Sequence, residues 1–261
     1  MKKITFLILI FLVLTSCISK KSAINKAFNT TLASSLYKNQ FTGILVIDAK
    51  TKDTIYNKDS HKYFIPASNT KIFTLFAALK TLPKKAPAIR YIIRNDTLYF
   101  EGTGDPSFLH PYLNDSTAFH FLNNQKNLAF ISGNFQDKKY GPGWAWDDYQ
   151  WYYSPERNAL PINGNVVLSF KYTELLVSPS YFKDSVIEVL HKDNRNEFSN
   201  IFYYPPQSID TLETPFITSL KTTTSILEQA LGKKVSTTAT MPLGNKETLY
   251  GIEMDTLYKR M

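Results

Sequence analysis

Phe64-Ile65-Pro66-Ala67-Ser68-Asn69-Thr70-Lys71 runs directly into Ile72, Leu75, Phe76, Leu79 and Leu82, and Pro83 follows. That spacing predicts a strongly apolar helix that starts near Ser68 and stops at the proline. Pro66-Ala67 reads as a stiff, extended approach to it. On one helix, residues i and i+3 share a face, so Ser68 and Lys71 stand side by side. A lysine in that place can serve as base for the serine, provided desolvation or nearby positive charge lowers its pKa. The helix start adds a favourable dipole and backbone N–H groups for a developing oxyanion. The same position also suits an ordinary N-cap serine.

The Ser-x-x-Lys pattern is weak by itself. With 20 serines and 25 lysines in 261 residues chance supplies such pairs, and the chain has three, starting at Ser35, Ser68 and Ser180. Context separates them. Ser35 falls late in a helical pattern, just before a chain reversal, and is expected to face solvent. Ser180 and Lys183 lie between strand-like runs, where residues three apart point to opposite faces. Ser68 alone opens an apolar helix.

Upstream, Ile24, Phe28, Leu32 and Leu36 predict a helix over 22–37 with one apolar face. Residues 41–48 and 54–56 read as strands joined by a polar turn at 50–53. From Pro83 to about Pro215 the texture changes. Short strand-like runs at 89–94, 97–100, 128–132, 165–171, 173–178, 185–191 and 198–204 alternate with Pro, Gly and Asn turns, predicting a β-rich insert. A helix returns with Leu220, Leu227 and Leu231 and stops at Gly232. Leu249, Ile252 and Leu257 then predict a last helix over 247–261.

Composition narrows the function classes. Hydrophobic residues at 43% and aromatics at 14% exclude wholesale disorder. One cysteine and four scattered histidines offer neither a disulfide framework nor a metal-ligand spacing. No cofactor or metal is expected. The net charge of +8 comes from 25 Lys and only 5 Arg spread along the chain, which argues against nucleic-acid binding. Lys2 and Lys3 precede an apolar run from Ile4 to Leu14, too short to span a bilayer and suited to a secretory leader. Leu14-Thr15-Ser16-Cys17 resembles a bacterial lipobox, with the single cysteine where diacylglycerol would be attached. Residues 1–16 are therefore read as a lipoprotein signal peptide. The mature protein is expected on the periplasmic side of the envelope, held to the membrane by its lipid anchor. With no Asp directly after Cys17, the outer membrane is favoured.

The stretch 64–74 resembles the nucleophile segment of the low-molecular-weight class C penicillin-binding proteins, which are D-alanyl-D-alanine carboxypeptidases and endopeptidases. Two further stretches carry the same resemblance. Glu101-Gly102-Thr103-Gly104-Asp105-Pro106 is similar to that family's Gly-Asp-Pro turn. Gly141-Pro142-Gly143-Trp144-Ala145-Trp146-Asp147-Asp148, with Tyr152-Tyr153-Ser154-Pro155, Ala159-Leu160 and Asn163-Gly164-Asn165, is similar to its tryptophan and Asn-x-Asn signature. The resemblance implies an α/β (α+β) transpeptidase/β-lactamase-like domain, built from 17–82 and 215–261 and interrupted by a β-rich insert at 83–214. It implies that Ser68 attacks the penultimate D-Ala of a peptidoglycan stem peptide, with Lys71 as base. β-Lactam antibiotics would acylate the same serine. Asp148 matches the acid that the family sets near the cationic end of the stem-peptide diamino acid. A turn acid bonding nearby N–H groups is the plainer reading of Asp148, as packing is for Trp144 and Trp146.

The family also needs a Ser-x-Asn on a second helix and a Lys-Thr-Gly on the strand edging the cleft. No Lys-Thr-Gly occurs here, and the sole Ser-x-Asn, Ser132-Gly133-Asn134, falls in the insert, where it is expected to be structural. The transpeptidase-like domain is therefore expected to be incomplete in these residues, and the 261-residue chain alone to be inactive. The competing reading is a non-catalytic envelope lipoprotein that binds peptidoglycan peptides. A hydrolase with a Gly-x-Ser-x-Gly elbow is excluded, because no Gly-x-Ser occurs.

Overall fold

The computed structural model describes residues 20–259, divided between Thr70 and Lys71 into two compact units. The expected leader and Cys17 lie outside the described residues.

In the first unit, helix α1 (Lys20–Leu32) lies against a hairpin of β1 (Ile44–Ile47) and β2 (Thr54–Lys58). Phe28 stacks on Tyr56 with ring centroids 4.6 Å apart. The Tyr56 hydroxyl donates to Asn29 Oδ1 at 2.9 Å, and Asn25 Nδ2 donates to the Ile55 carbonyl at 2.9 Å. The hairpin turn closes on Asp48, whose Oδ1 accepts the N–H groups of Thr51 and Lys50, both at 2.8 Å. These donors hold the carboxyl below its usual pKa. The helix expected over 22–37 stops at Leu32; Ser34 and Ser35, poor helix formers, lie in turns, and Leu36 is exposed.

The second unit begins with α2 (Thr70–Thr81) and is organised by a five-stranded sheet. Its members are β3 (Lys85–Arg94), β4 (Thr97–Gly102), β5 (Asn127–Ile131), β11 (Val235–Thr238) and β12 (Glu247–Glu253), in the order β11-β5-β4-β3-β12. β4 and β5 are parallel, and the crossover between them carries α3 (Thr117–Asn123). Helix α4 (Leu220–Leu231) covers the sheet with Ile226, Leu227 and Leu231, against Leu98, Phe100, Leu128 and Phe130. Ser219 caps its start by accepting the Thr222 N–H at 3.0 Å, and left-handed Gly232 ends it. A second sheet pairs β10 (Leu212–Pro215), β6 (Val166–Lys171) and β7 (Leu175–Ser178) antiparallel, while β8 (Val186–Glu188) and β9 (Phe202–Tyr204) form a parallel pair. Phe182, Phe202 and Phe216 join these layers to the same core. The strand-rich texture read from the sequence after Pro83 thus corresponds to paired strands.

Three expectations change. The return to helix after Pro215 does not mark the edge of an insert. β11 and β12 lie at the two edges of the sheet whose centre is 85–131, so 235–253 belongs with 83–214. The expected helix over 247–261 is mostly strand β12, with one short helix, α5 (Met254–Tyr258). The pairing of β12 with β3 shifts register between Leu249 and Tyr250 and again before Glu253. Such irregularities break the alternation of a strand, so Leu249 and Ile252 both meet apolar neighbours although three residues apart. Ser180 and Lys183 stand on a 3-10 helix (Ser180–Ser185), where residues three apart eclipse rather than oppose one another.

Candidate active site

Ser68 sits on a 3-10 turn, Ala67–Asn69, that leads directly into α2. The approach is not extended: Pro66 is helical at φ −73° and ψ −18°, and Ala67 is left-handed at φ 44°. Left-handed backbone is costly for alanine, which has a Cβ and no side-chain polar group to offset it. The turn is fastened by the Asn69 N–H to the Pro66 carbonyl at 3.0 Å and by Thr70 Oγ1 to the Ala67 carbonyl at 2.9 Å. Asn69-Thr70 therefore shapes the chain at the serine. Ser68 closes the first unit's last turn, and Lys71 begins the second unit in the first turn of α2; both are exposed.

Helix α2 carries the apolar stripe that the sequence predicts, yet none of its side chains is buried. Phe73 is 75% exposed and Ile72 65%. Its far end, with Met254, Asp255 and Tyr258, lines a cavity of about 450 Å³.

Asp148 lies on a 3-10 turn, Trp146–Gln150, bounded by extended Ala145 and Trp151. Its Oδ1 accepts the Tyr153 hydroxyl at 3.0 Å, a bond that raises the pKa of the phenol. Trp144 and Trp146 are not packing residues: Trp146 is 78% exposed, and Trp144 is only partly covered, by Gly141 and Tyr140. With Trp151, Tyr152 and Tyr153 also exposed, this segment presents aromatic rings and a carboxylate pair to solvent.

The other two stretches are structural. Gly102 approaches the Ala159 carbonyl so closely that a Cβ would stand 2.1 Å from its oxygen. The Gly104 N–H donates to the same carbonyl, which fixes the Gly-Thr-Gly-Asp-Pro turn on Ala159-Leu160. Asn163, Gly164 and Asn165 are all left-handed, at φ 56°, 65° and 56°. Asn163 Nδ2 donates to the carbonyls of Val166 at 2.8 Å and Ser178 at 3.2 Å, and Asn165 Nδ2 to that of Glu156 at 2.8 Å. Asparagine tolerates this backbone and satisfies buried carbonyls with its amide. Asn134 Nδ2 donates to the Gly102 carbonyl at 2.7 Å, so the Ser-x-Asn of the insert is structural, as expected.

Two buried charged groups carry no sequence signal. Glu156 receives Lys139 Nζ at 2.9 Å, the Thr218 N–H at 2.7 Å and the Thr218 hydroxyl at 2.6 Å. Arg195, in Asn194-Arg195-Asn196, is fully buried. Contacts with Lys139 and Thr218 for Glu156, and with the Tyr149 carbonyl and nearby carbonyls for Arg195, distinguish them from surface residues.

Residues 25–175, which include all three resembling stretches, match the D-Ala-D-Ala carboxypeptidase 3 (S13) family. The chain is 26% identical over 157 residues to the D-alanyl-D-alanine carboxypeptidase of an Actinomadura strain, covering 53% of this chain and 28% of that protein. Its fold is similar to the crystal structure of penicillin-binding protein 4 from Haemophilus influenzae, with a TM-score of 0.51 at 17% identity. That match covers 79% of this chain and 56% of the crystallised one. The chain thus spans less than two thirds of either relative.

Proposed function

This chain belongs to the D-Ala-D-Ala carboxypeptidase 3 (S13) family, and on that premise we propose that it acts on peptidoglycan stem peptides with Ser68 as nucleophile. The observation that carries the reading is the Pro66–Lys71 segment. It lies inside the family match and folds as a fastened turn that hands Ser68 directly to the start of α2. In the reaction, Ser68 Oγ attacks the carbonyl carbon of the penultimate D-Ala, and Lys71 Nζ takes the hydroxyl proton. The tetrahedral intermediate collapses, the peptide C–N bond breaks, and terminal D-Ala leaves with that proton on its amine. Water attacks the acyl-enzyme ester and restores the serine. A β-lactam would open on the same oxygen and remain as the ester. A lysine that accepts this proton is neutral beforehand, a state that desolvation or nearby positive charge favours.

Asp148 would contact the ammonium group of the stem-peptide diamino acid, among the exposed rings of Trp146, Tyr152 and Tyr153. Both endopeptidase and carboxypeptidase cleavage fit this chemistry, since they differ only in the amine that departs. Cys17, after its leader, would carry the lipid that tethers the protein on the periplasmic face of the outer membrane. The test is D-Ala release from a D-Ala-D-Ala stem peptide by the protein expressed from its own gene. Release that is lost in Ser68→Ala and Lys71→Ala supports the reading. Peptide binding without release would make it a non-catalytic binding lipoprotein. Cys17→Ala should abolish labelling by a fatty-acid probe, and labelling that persists in it would refute the anchor.

A further inference from the structure

The turn that carries Asp148 has little structure of its own. It is a single 3-10 segment of five residues between extended neighbours, with Trp146 exposed and Tyr149 half-buried. A neighbouring segment holds it. The guanidinium of Arg195 is 2% exposed, and among the described residues it forms no ion pair. Its Nη1 donates to the carbonyls of Asn196 at 2.7 Å, Glu197 at 3.2 Å and Ser199 at 3.3 Å. Its Nη2 reaches across to the carbonyl of Tyr149 at 3.5 Å, and the guanidinium carbon stands 4.9 Å from the centroid of the Tyr149 ring. Asn194 adds a second fastening. Its N–H donates to Gln150 Oε1 at 2.8 Å and its Nδ2 to the Gln150 carbonyl at 3.5 Å. The Asn194 carbonyl accepts the N–H of Tyr203 at 2.9 Å, which ties the clamp to β9.

A buried cation with no carboxylate in contact is expensive, and burial lowers the pKa of Arg195 although the charges of Glu156 and Glu197, among others, favour its charged form. An apolar side chain would fill the same space at less cost. What arginine adds is geometry: a planar fork that fixes four carbonyls from two segments, and a flat face against a ring. Two of the groups so held, Tyr149 and Gln150, directly follow Asp148.

We propose that Arg195, with Asn194, is a positioning residue that sets the Trp146–Gln150 turn so that Asp148 receives the ammonium group of a peptide substrate. This rests on the reading of Asp148 given above. Neither residue touches the substrate; both act through the turn.

Two measurements on the full chain test it. The first is fluorine NMR of the protein labelled with 5-fluorotryptophan, the Trp146 line being assigned by Trp146→Phe. In Asn194→Ala and Arg195→Lys the Trp146 line should shift or broaden while the melting temperature changes little. An unchanged Trp146 line in both variants overturns the proposal. The second is equilibrium binding of a stem-type peptide with a free side-chain amine and of its N-acetylated twin. The wild-type chain should prefer the amine, Asp148→Asn should abolish the preference, and Arg195→Lys and Asn194→Ala should reduce it severalfold with Asp148 intact. A preference lost in Asp148→Asn but kept in both clamp variants overturns the positioning role and leaves the reading of Asp148 standing. No preference in the wild type removes the reading of Asp148, and the proposal with it.

Discussion

Asp105, in the Gly-Asp-Pro turn, shows how much of a motif is structural. Its Oδ1 accepts the Ser107 N–H at 2.9 Å, its Oδ2 the Ser107 hydroxyl at 2.9 Å, and the same hydroxyl lies 3.3 Å from Asp115 Oδ2. Burial raises the pKa of Asp105, and the charge of Asp115 adds to it, against the lowering effect of the Ser107 bonds. A carboxyl with a raised pKa in the folded state binds its proton more tightly there than in the unfolded chain. Its contribution to stability is complete below the unfolded value of 3.8 and is lost as the pH rises through the raised folded value. Asp105→Asn should therefore remove a stability gain that the wild type shows on acidification from neutral pH into the carboxylate range. Parallel melting curves for both proteins across that range would contradict this. At this scale the sequence speaks unevenly. Ser68 and Lys71 stand out because an apolar helix follows them, whereas Arg195 and Glu156 look like surface charges until the Tyr149 carbonyl, Lys139 and Thr218 close around them.

Helices α2 and α4 have similar apolar stripes and opposite surroundings. Leu227 on α4 is fully buried in the main core, while Phe73 on α2 is 75% exposed. Periodicity predicts both helices correctly, because it depends on the residues of one segment. It does not tell whether the stripe is covered. Leu227→Ala should cost about 2–5 kcal/mol of stability, by lost transfer energy and the cavity left behind. Phe73→Ser should change stability by no more than about 0.5 kcal/mol. Urea unfolding of both variants checks this, and a loss in Phe73→Ser as large as in Leu227→Ala would show that α2 is covered in solution. Strand β12 marks the limit of periodicity in the other direction. Two register shifts give it the i, i+3 spacing of a helix, and only its pairing with β3 reveals the strand.

At the level of the whole molecule, the alternation of helices with a strand-rich stretch after Pro83 was legible from local patterning, and the α/β class from the family resemblance. The boundary at 215 was not. It depends on β11 pairing with β5 and β12 with β3 across more than a hundred residues of sequence, and no window of residues encodes that. The family match over 25–175 holds together stretches with different duties: the segment proposed to carry the nucleophile, two structural turns, and an exposed acid-and-aromatic segment. Ser68 is the proposed nucleophile of this family member. Labelling the protein expressed from its own gene with fluorescent penicillin, followed by peptide mapping, is the decisive test of that role. One adduct is expected, on the peptide containing Ser68, that disappears in Ser68→Ala and in Lys71→Ala. An adduct on another serine, labelling that survives Ser68→Ala, or a wild-type protein that takes up no penicillin would contradict it.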